Sequence, residues 1–548
     1  MSCMKLLKSI CAVLCIALSG GIVSAGEGHR PVTIMPGLGD WHHPTSAKNK
    51  AAQEFFDQGL RLIYAFNHAE AVRSFRKAAE LEPSFAMAYW GIAEAVGPNY
   101  NDPADDGRFK EAHEAIQKAV DRSANAWPVE QAYIAAMAKR FPADPKADRR
   151  QAAEEYRDAM REVVNSYPDD LDAATLFAEA GMGLHPWGLW HKDGTPEAGT
   201  EEIVATLESV IRREPNHLGA LHYYIHAVEA SNSPERALPA ANRLASLAPG
   251  AGHIVHMPAH IYIRTGDYAA AAETNRKAAE ADRAYIRSSG AEGIYPLMYY
   301  SHNLHFIAVC SAMDGDYAES RKAADMLAEH VRPAVKDMPD VEGFMTIPMA
   351  VDVRFHRWDE ILAMKQPDAA MKTTTGFWHF ARGMALAGTG RIGEAEAEYK
   401  IVAEAEKATS PDAIFSMPID NKTKDILKIA ENVLGAQVAL ARKDSAGAAK
   451  MLREAVAVQD GLKYNEPPDW FFPVRESLGG VLLMNGDAKA AEQVFRDDLA
   501  KNPRNPRSLF GLQRSLREQG RDTDAWFVEK EFRESWKGNS ELKVEDLV

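Results

Sequence analysis

Small and large apolar residues recur along this chain at a spacing that paired helices use. Ala71, Phe75 and Ala78 stand four and three residues apart, so they share one face of a helix, and Pro83 then stops that helix. The run Ala86-Met-Ala-Tyr-Trp-Gly-Ile-Ala93 begins another helix of the same kind. A small-large-small face lets two antiparallel helices approach closely, and the pattern predicts a helical hairpin over residues 52–85. The register returns down the chain. Pro215 and Pro249 are 34 residues apart with Ala237 between them, and Gly266-Asp267-Tyr268 and Gly315-Asp316-Tyr317 both mark the turn between helices. Gly390 with Ala395, and Gly486-Asp487 with Ala491, Phe495 and Pro503, carry it almost to the C-terminus. One such pair cannot bury its apolar face alone, so neighbours stack; the predicted fold is all-α, a helical-hairpin superhelix.

This spacing resembles the tetratricopeptide repeat, with Ala71, Phe75, Ala78 and Pro83 at repeat positions 20, 24, 27 and 32. The resemblance covers about 50–535 and is more degenerate in 100–165 and 335–440. Four further strings resemble a family of large bacterial tetratricopeptide proteins defined by sequence rather than by activity: the run from Ala86, His222-Tyr-Tyr-Ile-His-Ala-Val-Glu-Ala-Ser, Gly252-His-Ile-Val-His-Met-Pro-Ala-His-Ile-Tyr, and Asp469-Trp-Phe-Phe-Pro-Val-Arg-Glu-Ser-Leu-Gly. That resemblance implies a shared architecture and carries no function with it. The expected organisation is a signal peptide at 1–25, an N-terminal arm at 26–51, repeats at 52–165, His-rich repeats at 166–345, further repeats at 346–536 and a fraying acidic tail at 537–548. Insertions at 98–110, 184–200 and 286–300 are expected to cap or cover the groove. The aromatic loop Leu184-His185-Pro186-Trp187-Gly188-Leu189-Trp190 reads either as a lid or as a surface loop pinned by its tryptophans.

Histidine placement is where candidate chemistry enters. Prolines, alanines and Gly-Asp-Tyr turns set the register between 218 and 334, and none of them is a histidine. In the unit starting at Leu218, His222 and His226 fall at positions 5 and 9. In the unit starting at Gly252, His253, His256 and His260 fall at 2, 5 and 9; in the unit starting at Ser301, His302 and His305 fall at 2 and 5. Positions 2, 5, 9 and 12 of the first helix face the concave groove in tetratricopeptide domains. Seven imidazoles therefore converge there, with Gly219 and Val309 the exceptions at positions 2, 5 and 9. Neutral imidazole is the commonest protein ligand for borderline metals, and a bound ion spares stacked rings from repelling one another as cations. The expected ligands are His222, His226, His253, His256, His260, His302 and His305 around a shared ion. Without thiolates the set suits copper, zinc, iron or nickel, and copper is placed ahead of zinc. Glu229 at position 12 and Glu179 at position 9 one unit earlier are the candidate acid–base groups, ligands or ring-orienting partners. Two other readings fit the same residues: a groove that hydrogen-bonds a peptide or small acid, and structural histidines stacked on Tyr223, Tyr262, Tyr299 and Tyr300.

The other histidines read differently. His68 and His379 sit at packing positions, and His217 is a candidate partner behind His222. His42 and His43 read as a flexible pair, while His185 and His191 are candidate extra ligands from the loop.

Composition narrows the function classes. The chain has 548 residues and a net charge of −15 with no long basic run, which argues against nucleic acid. Lys5 and Lys8 precede an apolar stretch ending Val23-Ser24-Ala25, the form of a cleaved secretory signal, so a periplasmic or secreted protein is expected, with no membrane span after cleavage. Cleavage leaves Cys310 alone, read as a small core residue, and the fold without an internal disulfide. No phosphate loop, H-E-x-x-H, C-x-x-C or nucleophile elbow is present in the mature chain.

Overall fold

The Phe75 ring is fully buried between two helices that have no side chain where it enters. A Cβ on Gly59 would lie 2.6 Å from that ring, and one on Gly91 would clash with it too. Phe495 repeats the arrangement against Gly479 and Gly511. Position 24 thus acts as a peg between the first helices of its own unit and the next. Phe75→Ala is expected to cost about 3–5 kcal/mol, the usual range for emptying such a site, read as a shift of the urea midpoint at unchanged slope.

The computed structural model describes residues 31–548 apart from 145, 416–418, 471 and 540. The signal read at 1–25 lies outside the described residues. The described chain is an array of helices joined into antiparallel hairpins, with no β-strand among the described residues. Gly266, Gly315 and Gly486 close first helices with φ of +79°, +93° and +76°, a conformation open to glycine and strained for other residues. After two of these glycines the next aspartate caps the second helix: Asp316 accepts from Glu319 N at 3.1 Å and Asp487 from Ala490 N at 3.1 Å. Among the described residues no helix is long and apolar enough to cross a membrane. Cys310 is fully buried within the core, and burial raises its thiol pKa well above the usual range.

Buried apolar side chains fall into two clusters, one spanning Leu38 to Ile261 and the other Ala259 to Leu547. Their seam runs through the histidine-bearing segment. The C-terminal repeats return to the middle of the chain there. Tyr268 Oη donates to Pro503 O at 3.1 Å, Arg504 pairs with Asp267 at 2.5 Å, and Lys537 N donates to Asp314 O at 2.8 Å.

Both ends differ from expectation. The tail does not fray: Leu547 is buried, a short 3-10 turn covers Val544–Leu547, and Arg507 donates to Asp546 O at 2.7 Å. Two apolar residues, Leu542 and Leu547, outweigh the acids between them. The His42–His43 pair is not flexible either. Asp172, buried, accepts from Tyr64 Oη at 2.5 Å and Trp41 Nε1 at 3.1 Å, and it pairs with His43 Nδ1 at 2.7 Å and His217 Nε2 at 3.3 Å. Trp41 also packs on the His217 ring at 4.2 Å, and Gly250 N donates to Gly37 O at 2.7 Å. Burial alone would lower the His43 imidazole, but the hydrogen bond and charge of Asp172 push it up to about 9. A raised histidine stabilises fully below its ordinary 6.5 and loses that contribution as pH climbs through about 9. Arm docking is therefore expected to loosen between pH 7 and 10, seen as faster proteolysis near Trp41, and Asp172→Asn should loosen it already at pH 7.

Candidate metal centre

Three first helices carry the histidines: Leu218–Glu229, the broken pair Gly252–His256 and Pro258–Thr265, and Ser301–Asp314. The break in the second comes at Pro258, which has no N–H to continue the ladder. Stacking brings six of the seven rings together as two groups of three. His222, His226 and His253 have ligand nitrogens within 4.8 Å of one another, and so do His256, His260 and His302. Each triad takes positions 5 and 9 of one helix and position 2 of the next. His253 and His302, although near helix starts, each complete a triad. The cap at that end of the first helix is His217, whose Nδ1 accepts from Ala220 N at 3.2 Å.

His305 stands outside both triads. Position 9 of its own helix is Val309, so no pair forms, and its ring meets Phe344 at 5.5 Å. Burial pushes its imidazole down to about 3, and its Nε2 has no hydrogen-bond partner.

Outer partners fix which nitrogen is bare in His222, His226 and His256. His222 Nδ1 donates to Tyr64 O at 2.6 Å, leaving Nε2 unprotonated in the neutral ring, and this Nε2 faces His253 Nε2 at 3.1 Å. Asn275 Nδ2 donates to Ala271 O at 2.8 Å, so its Oδ1 is the atom that accepts from His256 Nδ1 at 2.7 Å. His256 Nε2 is then bare, 2.9 Å from His260 Nε2. Glu229 joins the triads: Oε1 accepts from His226 Nδ1 at 2.7 Å and Oε2 lies 2.6 Å from His260 Nδ1. His226 Nε2 is left buried and without a hydrogen-bond partner. Burial first, and neighbouring imidazoles second, hold His222, His253 and His302 well below the usual histidine range; burial and then His260 do the same for His256. These rings stay neutral, the form a metal requires. Burial works against the Glu229 carboxylate, yet His260 and His226 hold it well below its usual range.

Glu179 lies elsewhere. It is buried beside Arg140 and Glu94, where burial raises it to about 8 against the pull of Arg140. His185 is within 3.4 Å of Arg150 and His191 within 3.6 Å of Glu197, so the loop brings neither to the triads. It brings Trp187 instead, edge-on to His226 at 5.8 Å and donating through Nε1 to Asn101 Oδ1 at 3.2 Å. Tyr100 meets His226 at 5.3 Å and Tyr299 meets His253 at 4.9 Å. All three insertions thus contribute an aromatic cover, enclosing a cavity of about 200 Å³ above the triads. His68 is buried and driven down to about 3, chiefly by burial, and His379 pairs with Glu398 at 2.6 Å.

Sequence reasoning missed four contributors. Asn275 had a signal: it occupies position 24, where Phe75 and Phe495 stand in other units, and a buried amide at a peg position asks for a partner. Tyr64 acts through its backbone carbonyl and had none. Tyr464 Oη, 3.4 Å from Glu229 Oε2, and the neighbouring buried Glu466, raised to about 7 by burial, arrive from 235 residues away and had none either.

Comparison with known proteins agrees with the fold. The tetratricopeptide repeat profile matches residues 254–285, the hairpin that carries His256, His260 and Asn275. Residues 254–285 thus match a tetratricopeptide repeat within the helical array. Similar solved structures include the human IFIT1 dimer with m7Gppp-AAAA, at 12% identity over 89% of this chain and 91% of that one with a TM-score of 0.32. The P58(IPK) TPR domain gives 12%, 86% and 98% with a TM-score of 0.22, and yeast Tom70 gives 10%, 89% and 90% with 0.28. No curated protein matches the chain. The matched hairpin supplies two rings of one triad, His256 and His260, and His253 of the other triad stands just before it.

Proposed function

We propose that the protein binds a pair of transition-metal ions, copper in preference to zinc, one in each histidine triad. The observation that carries this reading is the pairing of Nε2 atoms at 2.9 and 3.1 Å, with the opposite nitrogens of His222 and His256 committed to a carbonyl and an amide oxygen and that of His260 lying 2.6 Å from a carboxylate. Two nitrogens bound to one ion at ~2.0–2.1 Å and at right angles to each other would be about 2.9 Å apart. Where both rings keep the proton on the outer nitrogen, as at His256 and His260, the facing lone pairs need a cation between them. Burial opposes an imidazolium at His222, His253 and His256; between His222 and His253 the alternative is a neutral hydrogen bond from His253 Nε2–H, which a bound ion would displace. Carbonyl or carboxylate partners on the outer nitrogen are the usual means of orienting metal-bound histidine. An all-nitrogen set without thiolate, together with the general affinity order, favours copper.

The test is metal analysis of protein made without a histidine tag and reconstituted with copper or zinc. Two equivalents per chain are expected; less than one equivalent, unchanged by removing His222 and His256, overturns the reading. The covered cavity leaves room for a substrate beside the ions, which suits oxidative or hydrolytic chemistry as well as storage. Export is part of the proposal, and N-terminal sequencing of the mature protein should begin at Gly26.

A second reading has its own observation. A wetter cleft of about 760 Å³, lined by Trp190, Arg264, Lys463 and Trp470 among others, lies between the central and C-terminal repeats. Tetratricopeptide arrays are interaction scaffolds, and a peptide partner held here should be recovered by pull-down whether or not chelator is present.

A further inference from the structure

The histidines form only one wall of the 200 Å³ cavity, and among the described residues no lysine or arginine lines the others. Trp187, Tyr299, Phe344 and Phe415 supply an aromatic surface. Ile294, Met298, Met338 and Ile347 add apolar surface, and four carboxylates, Asp102, Asp340, Glu466 and Asp469, share the lining with the amides of Asn101 and Asn465. Those amides are spent within the wall: Asn101 Oδ1 accepts from Trp187 Nε1, and Asn465 Nδ2 donates to Asp469 at 3.0 Å. Two guanidiniums answer two of the acids from behind. Arg108 pairs with Asp102 at 2.6 Å and Arg264 lies near Glu466, but neither reaches the cavity. No basic side chain of the described lining faces these carboxylates, and Glu466, raised to about 7 by burial, takes its charge readily beside an approaching cation.

An independent observation points to a ligand in this cavity. His305 is 7% exposed, lines this cavity, belongs to neither triad, and keeps a buried Nε2 without a partner. A buried polar atom in that condition costs free energy unless a ligand engages it. Burying a carboxylate or phosphate among these acids would be strongly unfavourable, and a plain hydrocarbon would leave the acceptors unsatisfied. An ammonium answers both demands, and the aromatic surface attracts a cation as well as an apolar body.

We propose that the cavity binds a small primary amine with an aromatic or apolar body, its ammonium at the Glu466 wall and its body against Trp187, Tyr299 and Phe344. The volume suits a small molecule, being below the usual ~300–1,000 Å³ of pockets for drug-sized ligands. This builds on the reading of the cavity floor as a metal centre but does not need the ions in place. Bound ions would themselves draw a carboxylate to the floor, so the decisive measurement is made on metal-free protein.

The experiment is calorimetric titration of 2-phenylethylamine and 3-phenylpropionate into chelator-stripped and zinc-loaded protein. In stripped protein the amine is expected to bind at least about 10-fold more tightly than the acid, a difference of about 1.4 kcal/mol. Glu466→Gln should weaken the amine alone, whereas Trp187→Leu should weaken both probes. Equal or tighter binding of 3-phenylpropionate to stripped protein, or no binding of either probe, overturns the proposal. The two readings fail separately: zinc retained without amine binding removes only this one, and amine binding without retained zinc removes only the metal centre.

Discussion

Replacing Glu229 with glutamine is expected to weaken metal binding at both triads at once, by about 10- to 100-fold in dissociation constant. The carboxylate is 1% exposed and presents one oxygen to His226 and the other to His260. Glutamine keeps one acceptor oxygen and puts an amide NH₂ where the other stood. One ring must then turn its protonated nitrogen inward, where the metal needs a lone pair, and the other loses a charged partner. Competition titration against a chelator reads the change. Glu179→Gln is the matched control, because that residue sits with Arg140 and Glu94, and it should leave metal affinity where it was. A Glu229→Gln protein that binds both ions as tightly as the parent would remove the carboxylate from the centre.

His256→Ala is expected to lower the metal content from two equivalents to one, and His222→Ala to do the same through the other triad. The double variant should hold none. Losing one of three imidazoles leaves a two-nitrogen site that does not compete with buffer, while the neighbouring triad keeps all its ligands. Ligand-linked stability supplies a second readout. Each filled site adds about 2.7 kcal/mol at a free metal concentration 100-fold above its dissociation constant, so the single variants should keep about half of the parent's metal-dependent stabilisation. His305→Ala is the informative contrast, since its ring lies in neither triad: full metal content is expected. If instead every single variant emptied the whole cluster, one shared ion would describe the site better than two.

Much of this arrangement was legible because the repeat turns sequence position into spatial position. Once the prolines and Gly-Asp-Tyr turns fix the register, positions 5 and 9 of one helix and position 2 of the next are neighbours, and the histidines at those positions converge. The reading stopped at a single cluster because it counted faces rather than pairs. Val309 at position 9 and Gly219 at position 2 were the clues that only two triads could be completed. Contacts made across long separations in sequence carried no such clue. Nothing near Tyr464 or Glu466 in the chain says that they will reach Glu229, and nothing in Trp41-His42-His43 says that Asp172, 129 residues beyond His43, will bind the arm. The docked tail was misread for a related reason, since its acids are conspicuous in the sequence while the site that takes Leu547 is made by residues far upstream.

The return of the C-terminal repeats onto the middle of the chain limits how the protein can change in length. An open array of helical hairpins tolerates the gain or loss of a unit, because each touches only its neighbours. Here Pro503 must meet Tyr268 and Tyr464 must meet Glu229, so inserting or excising one 34-residue hairpin between them would shift the far side by roughly the ~10 Å width of a helix layer and open the loop of contacts. The number of units is therefore a property of the chamber rather than of any single hairpin, as the number of staves is a property of a barrel.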